Sequence, residues 1–191
     1  AAIMSRRLAA LGLDVAASRI LLAGEQTLKL LAAERPGARV RLFAAPALHE
    51  VLAGLALTAC VDDPDLVVLA RDPAFGVEEM GETLRAVAGG ARLIVTNTDH
   101  AHPGADGHPV PETGALLAAL LKVRPDLPHV GIGKPEPALI RAALDLAGAE
   151  ARDCVFIGDN PSTDGAAAAR MGMIFHHIDR SADLREGADR C

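Results

Sequence analysis

The feature that most constrains this chain is an alternation. Short runs of β-branched and aliphatic residues are separated, again and again, by Ala/Leu-rich stretches whose apolar residues recur every three or four positions. Strand patterns at 39–43 (RVRLF), 66–70 (LVVLA), 92–96, 129–132, 153–157 and 173–176 alternate with helical patterns at 4–11, 25–34, 46–55, 77–88, 113–123, 137–147 and 163–171. A strand that must cross a helix before the next strand pairs in parallel, so the expected class is α/β with a parallel sheet. Gly12, Gly148 and Gly172 stand where helix C-caps belong, and Pro46 and Pro137 where first-turn prolines belong. With four Phe and neither Trp nor Tyr, the core must be made of Ala, Leu, Val and Ile, which suits helices packed on such a sheet.

Composition excludes several function classes. Half of the 191 residues are apolar, too many for a disordered chain and enough to bury one core with a smaller insert. The net charge of −6 is dispersed, and without a Lys/Arg block it offers little to a nucleic-acid backbone. No apolar run reaches the roughly 18 residues of a membrane span. Cys60, Cys154 and Cys191 are far apart and form no CxxC pair, which argues against a zinc ribbon or disulfide framework and for a cytoplasmic protein.

Two stretches break the alternation: Arg35-Pro36-Gly37-Ala38, a turn, and residues 99–113 (DHAHPGADGHPVPET), rich in Pro, Gly and His. They are read as the borders of an inserted lobe at 39–112, leaving 1–38 and 113–191 as a discontinuous core domain. His100, His102 and His108 in the second stretch are read as solvated loop residues rather than a zinc site.

The chemistry lies between 131 and 173. One strand ends in Gly131-Ile132-Gly133-Lys134-Pro135-Glu136-Pro137 before a helix. The next ends in Gly158-Asp159-Asn160-Pro161-Ser162-Thr163-Asp164-Gly165 before another. Ligands of open parallel sheets bind beyond the carboxyl ends of the strands. Asp159 and Asp164 are hard oxygen donors suited to Mg²⁺, and Lys134 is a point charge able to hold a phosphate oxygen beside a carboxylate. Gly133 and Gly158 allow close backbone approach, and N–H groups near Thr163 favour an anion. Each motif alone has a plainer reading, as N-cap and turn residues or as a proline-opened helix. Their occurrence at consecutive strand ends favours the chemical one.

The pair GIGKPEP and FIGDNPSTDGAAAARMGM resembles motifs III and IV of the haloacid dehalogenase superfamily. With LAALGLDVAASRIL, DPDLVVLARDPAFGVEEMGETLRAV, GARLIVTNTDHAHP and ETGALLAAL in order, the chain is similar to the subfamily IIA phosphatases, the nagD-type, 4-nitrophenylphosphatase and phosphoglycolate phosphatase group. The resemblance spans residues 5 to about 178. It implies a Rossmann-like core with an inserted C2-type α/β cap, acting on a small phosphorylated metabolite, with a homodimer through the cap as one arrangement. It further implies Lys134 as the catalytic motif III lysine and Asp159 and Asp164 as Mg²⁺ ligands. Asn160, Asn97 and Asp99 would contact substrate, although an Asx-turn explains Asn97 and Asp99 equally well.

One departure stands out. The family's nucleophile comes from a D-x-D-x-T/V motif after an N-terminal apolar strand. No DxDxT occurs here; the acids at 62–65 and at Asp72 follow no such strand. The chain therefore reads as an N-terminally truncated member lacking its first core strands. A fragment, an inactive relative, and a chain completed by a partner are the competing explanations.

Overall fold

The computed structural model describes residues 1–104 and 106–179. By contacts the chain divides into two compact units, one ending at Gly133 and the other beginning at Lys134.

The first unit is built on a five-stranded parallel sheet in the order β2-β1-β3-β4-β7. Its strands are β1 (Arg39–Phe43), β2 (Thr58–Ala59), β3 (Leu66–Leu69), β4 (Arg92–Val95) and β7 (His129–Gly131). In β3 all four residues are fully buried, which is why its sequence is an unbroken apolar run rather than an alternating one. Leu66 and Val68 join Leu28, Leu31, Val40, Leu42, Leu52 and Ile94 in one core layer. On the opposite face, Val67 and Leu69 join Phe43, Val87, Leu93, Val95, Leu117 and Leu120. The helices α2 (Ala23–Glu34) and α3 (Pro46–Ala53) therefore cover one face, and α4 (Val77–Ala88) and α5 (Thr113–Val123) the other. The short helix α1 (Ala2–Ala10) precedes them and buries none of its residues. Positive φ at Gly12 (82°) lets the chain turn immediately after it.

The strand at 129–131 pairs with β4 in register Ile94↔Val130, so residues on both sides of position 112 share one sheet. Between them, the Pro/Gly/His-rich stretch expected to be irregular contains an antiparallel hairpin, β5 (Ala101–Pro103) with β6 (Pro109–Pro111). Prolines are tolerated because a two-stranded hairpin is all edge. His102 Nδ1 sits 2.6 Å from Glu112 Oε1, so this histidine is anchored rather than loose.

The second unit contains α6 (Ala138–Ala147), the parallel pair β8 (Val155–Gly158) and β9 (Ile174–His177), and α7 (Ala166–Arg170). Its buried set is small: Ile140, Ala167, Ala168 and Asp164. Strand β9 runs to His177, one residue past the expected end at 176, so His176 and His177 both lie within it. The helix expected from 163 onward begins with a wider π-type turn at Pro161–Gly165 before becoming regular. Among the described residues no helix is long and apolar enough to cross a membrane.

Candidate active site

Lys134 and Asp164 are thirty residues apart and meet. Lys134 Nζ donates to Asp164 Oδ1 at 2.6 Å, and the Asn160 backbone N–H donates to Asp164 Oδ2 at 3.2 Å. The carboxylate is almost wholly buried, with its side chain 4% exposed, against 34% for the lysine. An ionised carboxylate so far from water persists only when its oxygens are taken by donors, and here each has one.

Local structure explains how Asp164 reaches this position. Strand β8 ends at Gly158, and a Cβ there would lie 2.6 Å from Asp164 Cγ and 2.7 Å from Asp164 Cβ. Only a residue without a side chain leaves that space. Asn160 then gathers the following turn: its backbone carbonyl accepts the N–H groups of Thr163 (3.3 Å), Asp164 (2.7 Å) and Gly165 (3.4 Å), and its side-chain Oδ1 accepts from Ser162 N (3.0 Å) and Ser162 Oγ (2.7 Å). The N–H groups expected to be open to an anion near Thr163 are thus committed to Asn160. The Oδ1 of Asn160 serves as a helix cap. Asp159 is exposed at the strand end, and its backbone carbonyl lies 3.3 Å from His177 Nε2.

The loop carrying Lys134 has its own anchor. Lys134–Pro135 is a cis peptide. Arg170, the last residue of α7, donates through Nη1 to Pro135 O (3.1 Å) and to Glu136 Oε1 (2.6 Å). Gly158 was expected to allow a close approach, without the partner being named, and Arg170 was not singled out by the sequence. Gly158 stands out by its position immediately before the acidic segment, whereas Arg170 is one arginine among many.

The donor set is compatible with Mg²⁺. Asp159 and Asp164 offer only oxygen, and the 158–165 segment contains no thiol or imidazole. Among the described residues no group of three or more His, Cys, Asp or Glu forms a metal cage. Mg²⁺ commonly takes only one or two carboxylates and completes its octahedron with water and phosphate oxygens.

Asn97 and Asp99 lie in the first unit, just past β4. Asn97 Oδ1 is buried without a hydrogen-bond partner among the described residues, so it closes no Asx-turn. The Asp99 carbonyl accepts Gly114 N–H at 2.9 Å, and a Cβ on Gly114 would stand 2.7 Å from that oxygen. The acids at 62–65 have a structural use. Asp65 Oδ2 accepts Arg39 N at 2.7 Å and Asp63 Oδ2 accepts Arg39 Nη2 at 2.9 Å, at the amino end of β3 and not at a strand's carboxyl end.

A parallel-sheet α/β protein with a lysine–carboxylate pair after the carboxyl end of a strand defines a class, and comparison with known proteins places the chain in it. The family description "haloacid dehalogenase-like hydrolase" matches residues 4–172, and the chain belongs to that family. It is 31% identical over 172 residues to the dihydroxyacetone phosphatase of Corynebacterium glutamicum strain R, covering 89% of this chain and 61% of that one. It is 35% identical over 127 residues to the ribonucleotide monophosphatase NagD of Escherichia coli K12, covering 66% and 48% respectively. Among solved structures, p-nitrophenyl phosphatase from Archaeoglobus fulgidus superposes with a TM-score of 0.84 at 31% identity, covering 99% of this chain and 74% of that one. These relatives belong to the subfamily IIA phosphatases that the motifs resemble. The chain spans about half to three fifths of the two curated relatives.

Proposed function

We propose that this chain carries the cation-and-phosphate half of a Mg²⁺-dependent phosphatase acting on small phosphorylated metabolites. The observation that carries the reading is the 2.6 Å contact of Lys134 Nζ with the buried Asp164 carboxylate, one turn from the exposed Asp159 at the end of β8. The phosphatase relatives support the reaction class.

In this reading Asp159 and Asp164 would hold Mg²⁺, which when bound would supply charge to balance the phosphoryl oxygens. Lys134, oriented by Asp164, presents its ammonium to a phosphoryl oxygen and offsets charge as the leaving group departs. Arg170 keeps the 134–136 loop in place, so the ammonium does not have to be ordered during the reaction. Asn160 fixes the turn that carries Asp164. The attacking aspartate is assigned to residues outside this sequence, which holds no DxDxT motif, and Asp63 and Asp65 are engaged by Arg39. The chain by itself is then inactive.

A C2-type cap, substrate contact from Asn97, Asp99 and Asn160, pairing of two chains through the cap and a cytoplasmic location belong to the same proposal. Cys60 and Cys154 as free thiols accord with the last of these.

The test is an aryl phosphatase assay with Mg²⁺ on two proteins: this chain, and this chain preceded by a strand ending in DxDxT. The expected result is turnover only in the second, lost in its Asp159→Ala and Lys134→Ala variants. Turnover by the chain alone would overturn the assignment of the nucleophile. Absence of turnover from both, with no Mg²⁺ binding by calorimetry, would favour a non-catalytic binding or dimerisation module.

A further inference from the structure

The peptide group joining Asp159 to Asn160 is held at both of its polar ends. Its N–H, on Asn160, donates to Asp164 Oδ2 at 3.2 Å. Its carbonyl, on Asp159, lies 3.3 Å from His177 Nε2. A carbonyl oxygen only accepts, so the imidazole nitrogen facing it carries the hydrogen. The contacts form one chain: His177 to the 159–160 peptide, the peptide to Asp164, and Asp164 to Lys134 Nζ at 2.6 Å. In such a chain each hydrogen bond polarises the next, and a peptide whose carbonyl accepts is a better donor at its N–H.

The place of His177 follows from sheet register. Strands β8 and β9 pair in parallel with Gly158 opposite His177, and the Ile178 N–H donates to the Gly158 carbonyl at 2.8 Å. Side chains two apart on a strand share a face, so Phe175 and His177 project from the same side of β9. Their rings stack, with centroids 6.1 Å apart and planes 28° from parallel. Phe175 in turn packs against the far end of the acidic segment, where a Cβ on Gly165 would lie 3.2 Å from its Cε1. Strand β9 thus supports the segment at two points, Phe175 at Gly165 and His177 at Asp159.

The two acids are held differently. Asp164 is buried, with the lysine and the Asn160 N–H on its carboxylate. Asp159 is exposed at the end of β8, and the contact from His177 falls on its own backbone. Partners that orient a metal's ligands matter to binding, and their removal costs about 10–100-fold in metal affinity.

We propose that His177 is a positioning residue for the candidate Mg²⁺ site. Its Nε2–H fixes the plane of the 159–160 peptide. Through that plane it sets the direction of the Asp159 side chain and the N–H that Asp164 receives. The inference rests on the proposed Mg²⁺ role of Asp159 and Asp164, whereas the hydrogen bond itself does not, so the two are tested apart. His176, the neighbouring histidine, projects from the opposite face of β9 and provides the control.

The experiment uses the full chain in four forms: parent, His177→Phe, His177→Gln and His176→Phe. Phenylalanine keeps a ring against Phe175 but has no N–H, and glutamine restores a neutral N–H donor at about the reach of Nε2. Amide hydrogen exchange is read at Asn160, and Mg²⁺ affinity by calorimetry. In His177→Phe, exchange at Asn160 should be about fivefold faster, the factor that about 1 kcal/mol of hydrogen bonding gives. Its Mg²⁺ affinity should be about tenfold weaker. His177→Gln should recover most of both, and His176→Phe should match the parent. Unchanged exchange at Asn160 in His177→Phe, or equal impairment in the Phe and Gln variants, overturns the proposal. Parent binding of Mg²⁺ that His177→Phe leaves intact overturns it alone; a parent that binds no Mg²⁺ overturns the metal reading and the proposal with it. The thermal midpoint of each variant separates loss of the contact from loss of the fold.

Discussion

Gly158 and Asp164 occupy one volume: a methyl group on the glycine would sit 2.6 Å from the carboxylate carbon of the aspartate. The carboxylate is backbone-facing on one oxygen and lysine-facing on the other, so it has no room to retreat. The glycine is therefore part of how the acid is held.

Gly158→Ala is expected to expel Asp164 from its place. Overpacking of this kind costs about 1–3 kcal/mol. Calorimetric Mg²⁺ titration should show weakened binding, and thermal unfolding a lowered midpoint. An alanine variant that binds Mg²⁺ as the parent does would contradict the packing argument.

Removing Lys134 leaves a buried carboxylate without its cation. Because the lysine is one-third exposed, water recovers part of the loss, and Lys134→Met should destabilise by about 1–2 kcal/mol rather than the larger figure for a fully buried pair. Asp164→Asn in the same chain should return part of that. A double-mutant cycle by denaturant unfolding measures the coupling, and additive costs would mean the contact is not energetically used.

Arg170→Ala should act on the site and hardly on stability. Its ion pair with Glu136 is on the surface, worth less than about 1 kcal/mol. It also holds the Pro135 carbonyl, so the variant should raise amide exchange rates at Lys134 and Glu136, the two residues of the loop with an N–H. Measured exchange unchanged at those amides would assign the loop's order to something else.

The Arg39 backbone N–H bonded to Asp65 Oδ2 holds that carboxyl below the usual range, with the Arg39 side chain adding to the effect. Glu79 is lowered similarly, by its own backbone N–H and by that of Gly76 at the start of α4. A carboxyl depressed by folding stabilises above its unfolded pKa, near 4, and that contribution is lost as pH falls through the folded value. Stability of the parent should therefore decline on acidification, and Asp65→Asn should flatten the curve below about pH 4. Parallel curves for the two proteins would exclude Asp65 as a source.

Much of this was open to reading in the chain alone. The run Leu66–Leu69 is apolar at every position because both faces of β3 are covered, and α4 falls at 77–88 because its apolar residues repeat at helical spacing. The strand-end segments bearing Lys134, Asp159 and Asp164 were visible for the same reason: local pattern sets where strands stop and helices start. The hairpin at 101–111 was not, since Pro, Gly and His carry no strand periodicity and its pairing depends on cross-strand hydrogen bonds. Nor was the turn at 161–165, where three N–H groups converge on one Asn160 carbonyl.

Residue order determined the α/β class, most of the elements and the chemical types available at the strand ends, because these follow from spacing and backbone preference over a few residues. Tertiary structure alone decided that Lys134 touches Asp164 across thirty positions and that the β7 strand joins the first unit's sheet beside β4. Those are long-range contacts. They are set by which faces can be buried together, and no local pattern records that.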